Sequence, residues 1–236
     1  MEDSRITKIK DEYFITFTEF KGKGKKTNIT RIGLVKTKDF KTYYGRKIIL
    51  DEYGNNKNCV IFNDKESDKF YVIHRPFNED RYLTPPGIRI AKTKDFLDFE
   101  NLGILLSPRP KMWDSARVGI NTSPIEIKNK KFGNALFMLY HGANEARTYS
   151  MGYVLVKKDD PTKILERSEN PLLKPELEWE KGIGKYSAEK PDVSFCCGAI
   201  PISKNRIRGF YAGADMYTGF VDLTLKDAEV KNYSTD

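Results

Sequence analysis

The sequence predicts an all-β protein of the β-propeller class, with four blade repeats and no substantial helix. Three observations predict it. The pentapeptide KTKDF occurs twice, at 36–40 and 92–96, each time after a short apolar run. Aromatic, β-branched runs recur at 13–20, 69–77, 135–143 and 207–215, each too short for a good helix. A second apolar run and a polar turn precede each of them, which is the pattern of a β-hairpin.

Each unit reads as hairpin, link, strand, aspartate-bearing corner and final edge strand. The first runs RITKI, YFITFTEF, RIGLVKT and the corner KDFKTY. The second runs CVIF, the turn NDKESD, KFYVIHRPF, GIRIAKT and KDFLDF. The third runs SPIEI, ALFMLYHGA, SMGYVLVKK and DDPTKI, and the fourth AIPI, IRGFYAGAD, GFVDLTL and KDAEV. Four antiparallel strands in roughly 60 residues, repeated, fit a propeller blade. In this reading Phe40 and Phe96 pack between blades, and DPTKILER (160–167) forms one or two helical turns. A β-sandwich is the alternative, but it lacks the longer period.

The 236 residues suffice for a sizeable core, read as one propeller domain over 1–236. Hydrophobic residues make up 39% and charged residues 31%, so disorder is not the default. No apolar run is long enough to span a bilayer, and MEDSRITKIK lacks the apolar segment of a signal peptide. Cys59, Cys196 and Cys197 suit a reducing compartment, so the expectation is a cytoplasmic protein with no membrane partner. The adjacent Cys196 and Cys197 read as small buried residues, and neither of the two histidines lies near a cysteine pair, which excludes a zinc motif. A net charge of +8 suggests nucleic acid, but the lysines are interleaved with acids in KKDDPTK and NDKESDK and no RNP-type motif occurs. The reading is a solvated lysine-rich surface with no nucleic-acid partner, or a basic funnel for an anionic substrate.

In a propeller, functional residues gather at equivalent ends of the inner strands. The first unit offers Glu2, Asp3 and Arg5 there; the second offers Lys57 and Asn58, then His74 and Arg75. The third offers Arg117 and Asn121, then His141; the fourth offers Asp192 and Cys196, then Asp215. Carboxylates Asp3 and Asp215 beside Lys57, Arg75 and Arg117, with Asn58 and His141, suit an acid working opposite a bound anion. A single charged strand end is more often a solvated turn; recurrence at one point of the repeat weakens that reading for the set.

The segments EDSRITKIKDEYFITFT, NKNCVIFNDKESDKFYVIHRP, WDSARVGINTSPIEI, MLYHGANEARTYSMGYVLVKKDDPTKILERSENPLL and PDVSFCCGAI…GFYAGAD resemble glycoside hydrolase family 130, in order and over nearly the whole chain. The resemblance implies a five-bladed propeller and inverting β-mannoside phosphorolysis, giving α-mannose 1-phosphate. It implies that Asp3, in EDSR, is the general acid, protonating the leaving oxygen through a hydroxyl of the mannosyl ring. It implies phosphate held by Lys57, Asn58, Arg75, Arg117, His141 and Tyr149, and sugar held by Arg5 and Asp215. Phosphate would be a substrate, with no cofactor and no metal; the partners would be a mannoside and phosphate. A phosphorylase needs cations to hold its anionic nucleophile, where a hydrolase needs a second carboxylate to activate water.

The chain departs from the family pattern in places. Ser4 stands where the motif has proline, Lys57 replaces an arginine and Arg117 a lysine; these last two keep charge but not hydrogen-bond geometry. Asn121 and Ser123 replace a glycine and a proline, and Cys196 replaces a proline. Met1 directly precedes the EDSR motif, where the family has a further blade. The expectation is therefore a fragment, a four-bladed relative, or a chain completed by a subunit neighbour in a homo-oligomer. A β-mannosidase and a non-catalytic sugar-binding propeller are the alternative functions.

Overall fold

The structure, a computed structural model, describes residues 1–22, 29–64, 67–77, 87–231 and 233. Contacts divide the chain into two compact units, Met1–Ser107 and Pro108–Asp236.

The first unit holds two four-stranded antiparallel sheets, each with its strands in chain order. One comprises β1 (Glu2–Ile9), β2 (Glu12–Lys21), β3 (Ile29–Thr37) and β4 (Tyr43–Ile49). The other comprises β5 (Asn56–Asn63), β6 (Phe70–Pro76), β7 (Ile88–Thr93) and β8 (Glu100–Leu106). These are the first two expected blades, although residues 65 and 66 of the turn read from NDKESD lie outside the described residues. Their facing sides share one core, in which Ile9, Phe14, Ile32 and Leu34 meet Cys59, Ile61, Val72 and Phe96. Two half-buried meanders become stable by covering one another in this way.

The repeated KTKDF is the corner between the third and fourth strand of each sheet. The Thr37 hydroxyl accepts from the Phe40 amide at 2.9 Å, and Asp39 Oδ1 accepts from the Lys41 and Thr42 amides at 2.8 Å. Thr93 and Asp95 repeat this with Phe96 (3.0 Å) and Leu97 (2.8 Å). Side chains thus cap the amides that the turning backbone leaves unpaired. The amide bonds hold both aspartates below the usual carboxylate range, through Thr42 first at Asp39 and Leu97 first at Asp95. Both phenylalanines adopt left-handed backbone, φ 58° and 63°. Their fates differ. Phe96 is 5% exposed and packs on Phe14 and Phe70, between the sheets as expected. Phe40 is 44% exposed and lies 4.6 Å from Tyr13 of its own sheet, so it does not pack between blades.

The second unit holds a larger and a smaller sheet. The larger contains β9 (Arg117–Ile120), β10 (Ile125–Asn129), β11 (Gly133–Ala143), β12 (Tyr149–Lys157) and β13 (Ile164–Arg167). Its inner strand is split: β10 pairs with the first half of β11 and β9 with the second. Residues read from sequence as helical turns form β13 instead, because Ile164 and Leu165 continue the sheet at its outer edge beside β12. A one-turn helix, α1 (Glu178–Lys181), was not foreseen. Glu180 reaches back to the Glu176 and Leu177 amides at 2.8 and 2.9 Å, which starts the helix, and Gly182 at φ 63° ends it.

The smaller sheet has three strands, β14 (Ser194–Ser203), β15 (Arg206–Gly213) and β16 (Tyr217–Thr224). The expected corner KDAEV is not followed by a fourth. Its residues form β17 (Ala228–Val230), which pairs with β10 of the larger sheet, Ile127 opposite Val230. Ala228 and Val230 thereby enter the core between the two sheets, with Phe137, Leu139, Met151, Cys196 and Tyr211. Burial of these two apolar residues explains the change of sheet.

His74, a candidate site residue, is fully buried in the first unit. Its Nδ1 faces the Asn56 amide at 3.0 Å and its ring meets Tyr53 edge-on at 4.9 Å. Burial, with Arg89 adding repulsion, pushes it down to about 3. It is a neutral core histidine and not a site cation.

Two outcomes test this packing. Phe96→Ala should cost about 3–5 kcal/mol in urea unfolding and Phe40→Ala less than about 1.5 kcal/mol, because only the first empties a core site. The His74 proton is excluded from the fold but taken up by the unfolded chain below its ordinary value near 6.5. Stability is therefore complete above that pH and falls as pH drops towards 3, by up to about 1.4 kcal/mol per pH unit. His74→Gln should flatten that slope, and the His74 ring resonances should not titrate between about pH 5 and 8.

Candidate active site

In the first unit the structure brings together Asp3, Arg5, Lys57, Asn58 and Arg75. β1 and β5 each carry a bulge at the same point of the repeat. Pairing with β2 shifts between Glu2 and Arg5, and pairing with β6 shifts between Lys57 and Val60. Asp3 and Asn58 occupy the bulges in left-handed backbone, φ 57° and 52°, a conformation that Asp and Asn tolerate better than most. Two consecutive residues of β1 then meet two consecutive residues of β5. Lys57 Nζ pairs with Glu2 Oε1 at 2.6 Å, and Asn58 Nδ2 donates to Asp3 Oδ2 at 3.5 Å.

The chain of bonds continues inward. Arg75 Nε donates to Asn58 Oδ1 at 2.9 Å, which turns the amide nitrogen towards Asp3. The Arg75 guanidinium also lies 5.2 Å from the Phe77 ring. Arg5 is almost wholly buried and donates to the Asp3 carbonyl, bracing the bulge from behind.

In the second unit the structure brings together Arg117, Asn121, His141 and Tyr149. Arg117 opens β9 opposite Ala143, and its guanidinium donates to the Tyr149 hydroxyl. His141 is buried, with its ring 4.6 Å from Phe195 and 5.9 Å from Tyr149. The Asn121 side chain lies 2.7 Å from His141 Nδ1. With its nitrogen towards the ring it donates to Nδ1 and to the Cys196 carbonyl (3.2 Å), and its oxygen accepts from the His141 amide (3.3 Å). That orientation satisfies all three groups and leaves the ring proton on Nε2. Cys196 itself is buried, its Sγ 3.1 Å from the Gly198 carbonyl, and acts by packing.

Asp215 sits in left-handed backbone (φ 59°) after Gly213 and pairs with the exposed Lys190. A Cβ on Gly213 would lie 2.3 Å from the Trp179 ring, so this turn needs glycine to rest on the indole. Asp192 contributes through its backbone: its carbonyl accepts from the Tyr149 amide at 2.9 Å.

Sequence reasoning passed over a buried cluster in this unit. Asp114 is 0% exposed and accepts from Arg109, Arg167 and the Tyr140 hydroxyl at 2.8, 2.6 and 2.8 Å. The signal was present in WDSARVG, whose Arg117 was a candidate site residue and whose aspartate was not. Among the described residues no group of three or more His, Cys, Asp or Glu could hold a metal, and no helix is long and apolar enough to cross a membrane.

The first unit's cluster can hold an anion on Arg75, Lys57 and the Asn58 amide, and it presents the Asp3 carboxylate beside that amide while Glu2 pairs with Lys57. A 1,2-beta-oligomannan phosphorylase of Thermoanaerobacter sp. (strain X514) is 34% identical over 96% of this chain and 69% of its own length. A beta-1,2-mannobiose phosphorylase of the same organism is 32% identical over 93% of this chain and 65% of its length. The solved beta-1,2-mannobiose phosphorylase of Listeria innocua, in complex with beta-1,2-mannobiose, superposes with a TM-score of 0.72 at 33% identity. That match covers 95% of this chain and 58% of the Listeria chain, so the chain spans about three-fifths to two-thirds of the length of these relatives. The all-β propeller class read from the repeat agrees with the chain's own sheets and with this match. A family model described as beta-1,4-mannooligosaccharide phosphorylase matches residues 1–230. The chain belongs to glycoside hydrolase family 130.

Proposed function

We propose that the chain catalyses inverting phosphorolysis of β-mannosides, transferring a mannosyl group to phosphate as α-mannose 1-phosphate. The observation that carries this reading is the bonded series Arg75, Asn58, Asp3 with Lys57 beside it. These bonds put cations and an amide beside the Asp3 carboxylate, with the Glu2 carboxylate paired to Lys57.

In this reading Asp3 is the acid. As the C1–oxygen bond to the leaving sugar breaks, that oxygen takes a proton from Asp3, relayed by a hydroxyl of the mannosyl ring. A phosphate oxygen forms the new C1–oxygen bond from the opposite face, and the proton that phosphate loses restores Asp3. Lys57, Asn58 and Arg75 of the first unit hold the phosphate and offset its charge as it nears the ring; Arg117, His141 and Tyr149 of the second unit are assigned to phosphate by the family resemblance. The His141 Nε2–H and the Arg117 guanidinium are donors suited to phosphate oxygens. Asp215 and Arg5 are assigned to the sugar, Asp215 through its carboxylate and Arg5 by shaping the bulge. The relatives' names make β-1,2-linked manno-oligosaccharides the first substrates to try.

Incubation of the chain with mannose 1-phosphate and a panel of acceptors should release phosphate in an acceptor-dependent way. Asp3→Asn should lower that rate by about 10²–10⁴-fold. Phosphate-independent release of mannose from the same glycosides would replace the reading with hydrolysis, and no turnover by folded protein would overturn it. Asn58→Ala should raise the KM for phosphate and lower kcat, each by roughly 10-fold, because the amide serves both Arg75 and Asp3.

A further inference from the structure

We infer that Asp114 is a positioning residue: a buried carboxylate that holds the segment 109–117 so that Arg117 is presented to the anionic substrate. The identity of that anion as phosphate rests on the reading above.

The carboxylate is saturated from three directions. Arg109 reaches it through Nε and Nη2, at 3.1 and 2.8 Å. Arg167 Nη2 donates at 2.6 Å and the Tyr140 hydroxyl at 2.8 Å. Arg167 Nε also donates to the Tyr140 oxygen at 3.0 Å, which closes a ring of bonds. Burial, with Asp114 beside it, pushes the Tyr140 phenol up to about 12, so it stays a neutral donor. A carboxylate so enclosed, 0% exposed and engaged on both oxygens, is closed to substrate and acts through the groups it holds. It is costly to bury unless its geometry matters.

That geometry fixes a short segment at both ends. At one end Arg109 Nη2 donates to the Ser168 carbonyl and Trp113 Nε1 to the Glu169 carbonyl, each at 2.9 Å. Beneath, Trp113 and Asp114 lie on bare strand backbone. A Cβ on Gly142 would meet Asp114 Cβ at 2.2 Å, and one on Gly152 would meet the Trp113 ring at 2.7 Å. At the other end the Ala116 amide donates to the Ala143 carbonyl at 2.9 Å, and Arg117 follows with its guanidinium on Tyr149. Gly142 adjoins His141 in β11. A shift of Asp114 therefore moves Arg117 directly and alters the floor beside His141.

The test measures phosphorolysis by the full chain and, separately, calorimetric binding of inorganic phosphate. Asp114→Asn keeps the shape but removes the counter-charge of two guanidinium groups. It should raise both the KM and the Kd for phosphate by about 10-fold or more, with the KM for mannoside within about twofold. Phe137→Leu, in the core of the same unit, should lower Tm without moving the phosphate constants. If Asp114→Asn does not fold, Arg167→Lys supplies the same comparison, since it keeps charge and loses the fork. An Asp114→Asn that lowers Tm and leaves phosphate constants unchanged, or that shifts both substrates equally, overturns the inference. Phosphate binding without turnover by the wild type defeats the phosphorylase reading while the binding comparison still decides the role of Asp114. No phosphate binding by the wild type overturns both.

Discussion

The cluster of polar side chains in the first unit depends on one backbone constraint, the left-handed bulge near the start of an inner strand. In a regular strand, neighbouring side chains point to opposite faces. Glu2 and Asp3 could not then both turn towards β5, nor Lys57 and Asn58 towards β1. The bulges at Asp3 and Asn58 remove that alternation for one step in each strand. An ion pair and an amide–carboxylate contact can then stand side by side between two sheets. Positive φ is strained for most side chains, and the strain is tolerated here because Arg5 and Arg75 brace the two bulges from within.

The second unit solves the same problem with different chemistry. It places its polar groups by burying charge. Asp114 with its guanidinium partners underlies one edge, and Glu180 underlies the other, accepting from the Tyr211 hydroxyl at 2.5 Å. Each carboxylate stands beside a tryptophan, Trp113 or Trp179, that lies flat on a pair of glycines. Indole on bare backbone gives a stiff base with few rotamers to choose from, and the carboxylate locks its edge. Such a layer is expensive to build but resists deformation, which suits groups that must meet a substrate within a fraction of an ångström.

Much of this was legible in the sequence because repetition is a long-range signal that survives local ambiguity. The paired KTKDF corners announced two equivalent sheets, and equivalent strand ends pointed to Asp3, Lys57, Asn58 and Arg75, which the first unit brings together, and to Arg117 and His141, which the second unit carries. What periodicity could not reveal was how each copy departs from the average. Phe40 and Phe96 share a motif and a backbone conformation, yet only Phe96 has a neighbouring sheet to cover it. His74 and Arg75 are adjacent, and the alternation of β6 sends only Arg75 to Asn58. Asp114 lies in an irregular link, where no period marks which side will be buried. KDAEV looked like one more corner, and the burial of Ala228 and Val230 against a different sheet is a tertiary effect.

That last strand has a consequence for how the protein is made. In the first unit every sheet is a simple meander, so each strand finds its partner soon after it emerges from the ribosome. The larger sheet of the second unit is different. Its β10 has one edge on β11 and the other on β17, Ile127 against Val230, so that edge stays open until β17 has been synthesised, after every other strand of both sheets in the unit. Closing so long a loop is entropically slow. During translation an exposed strand edge stands ready to pair with a neighbouring chain, and the polar Glu126 and Lys128 flanking Ile127 make that edge less adhesive while it waits.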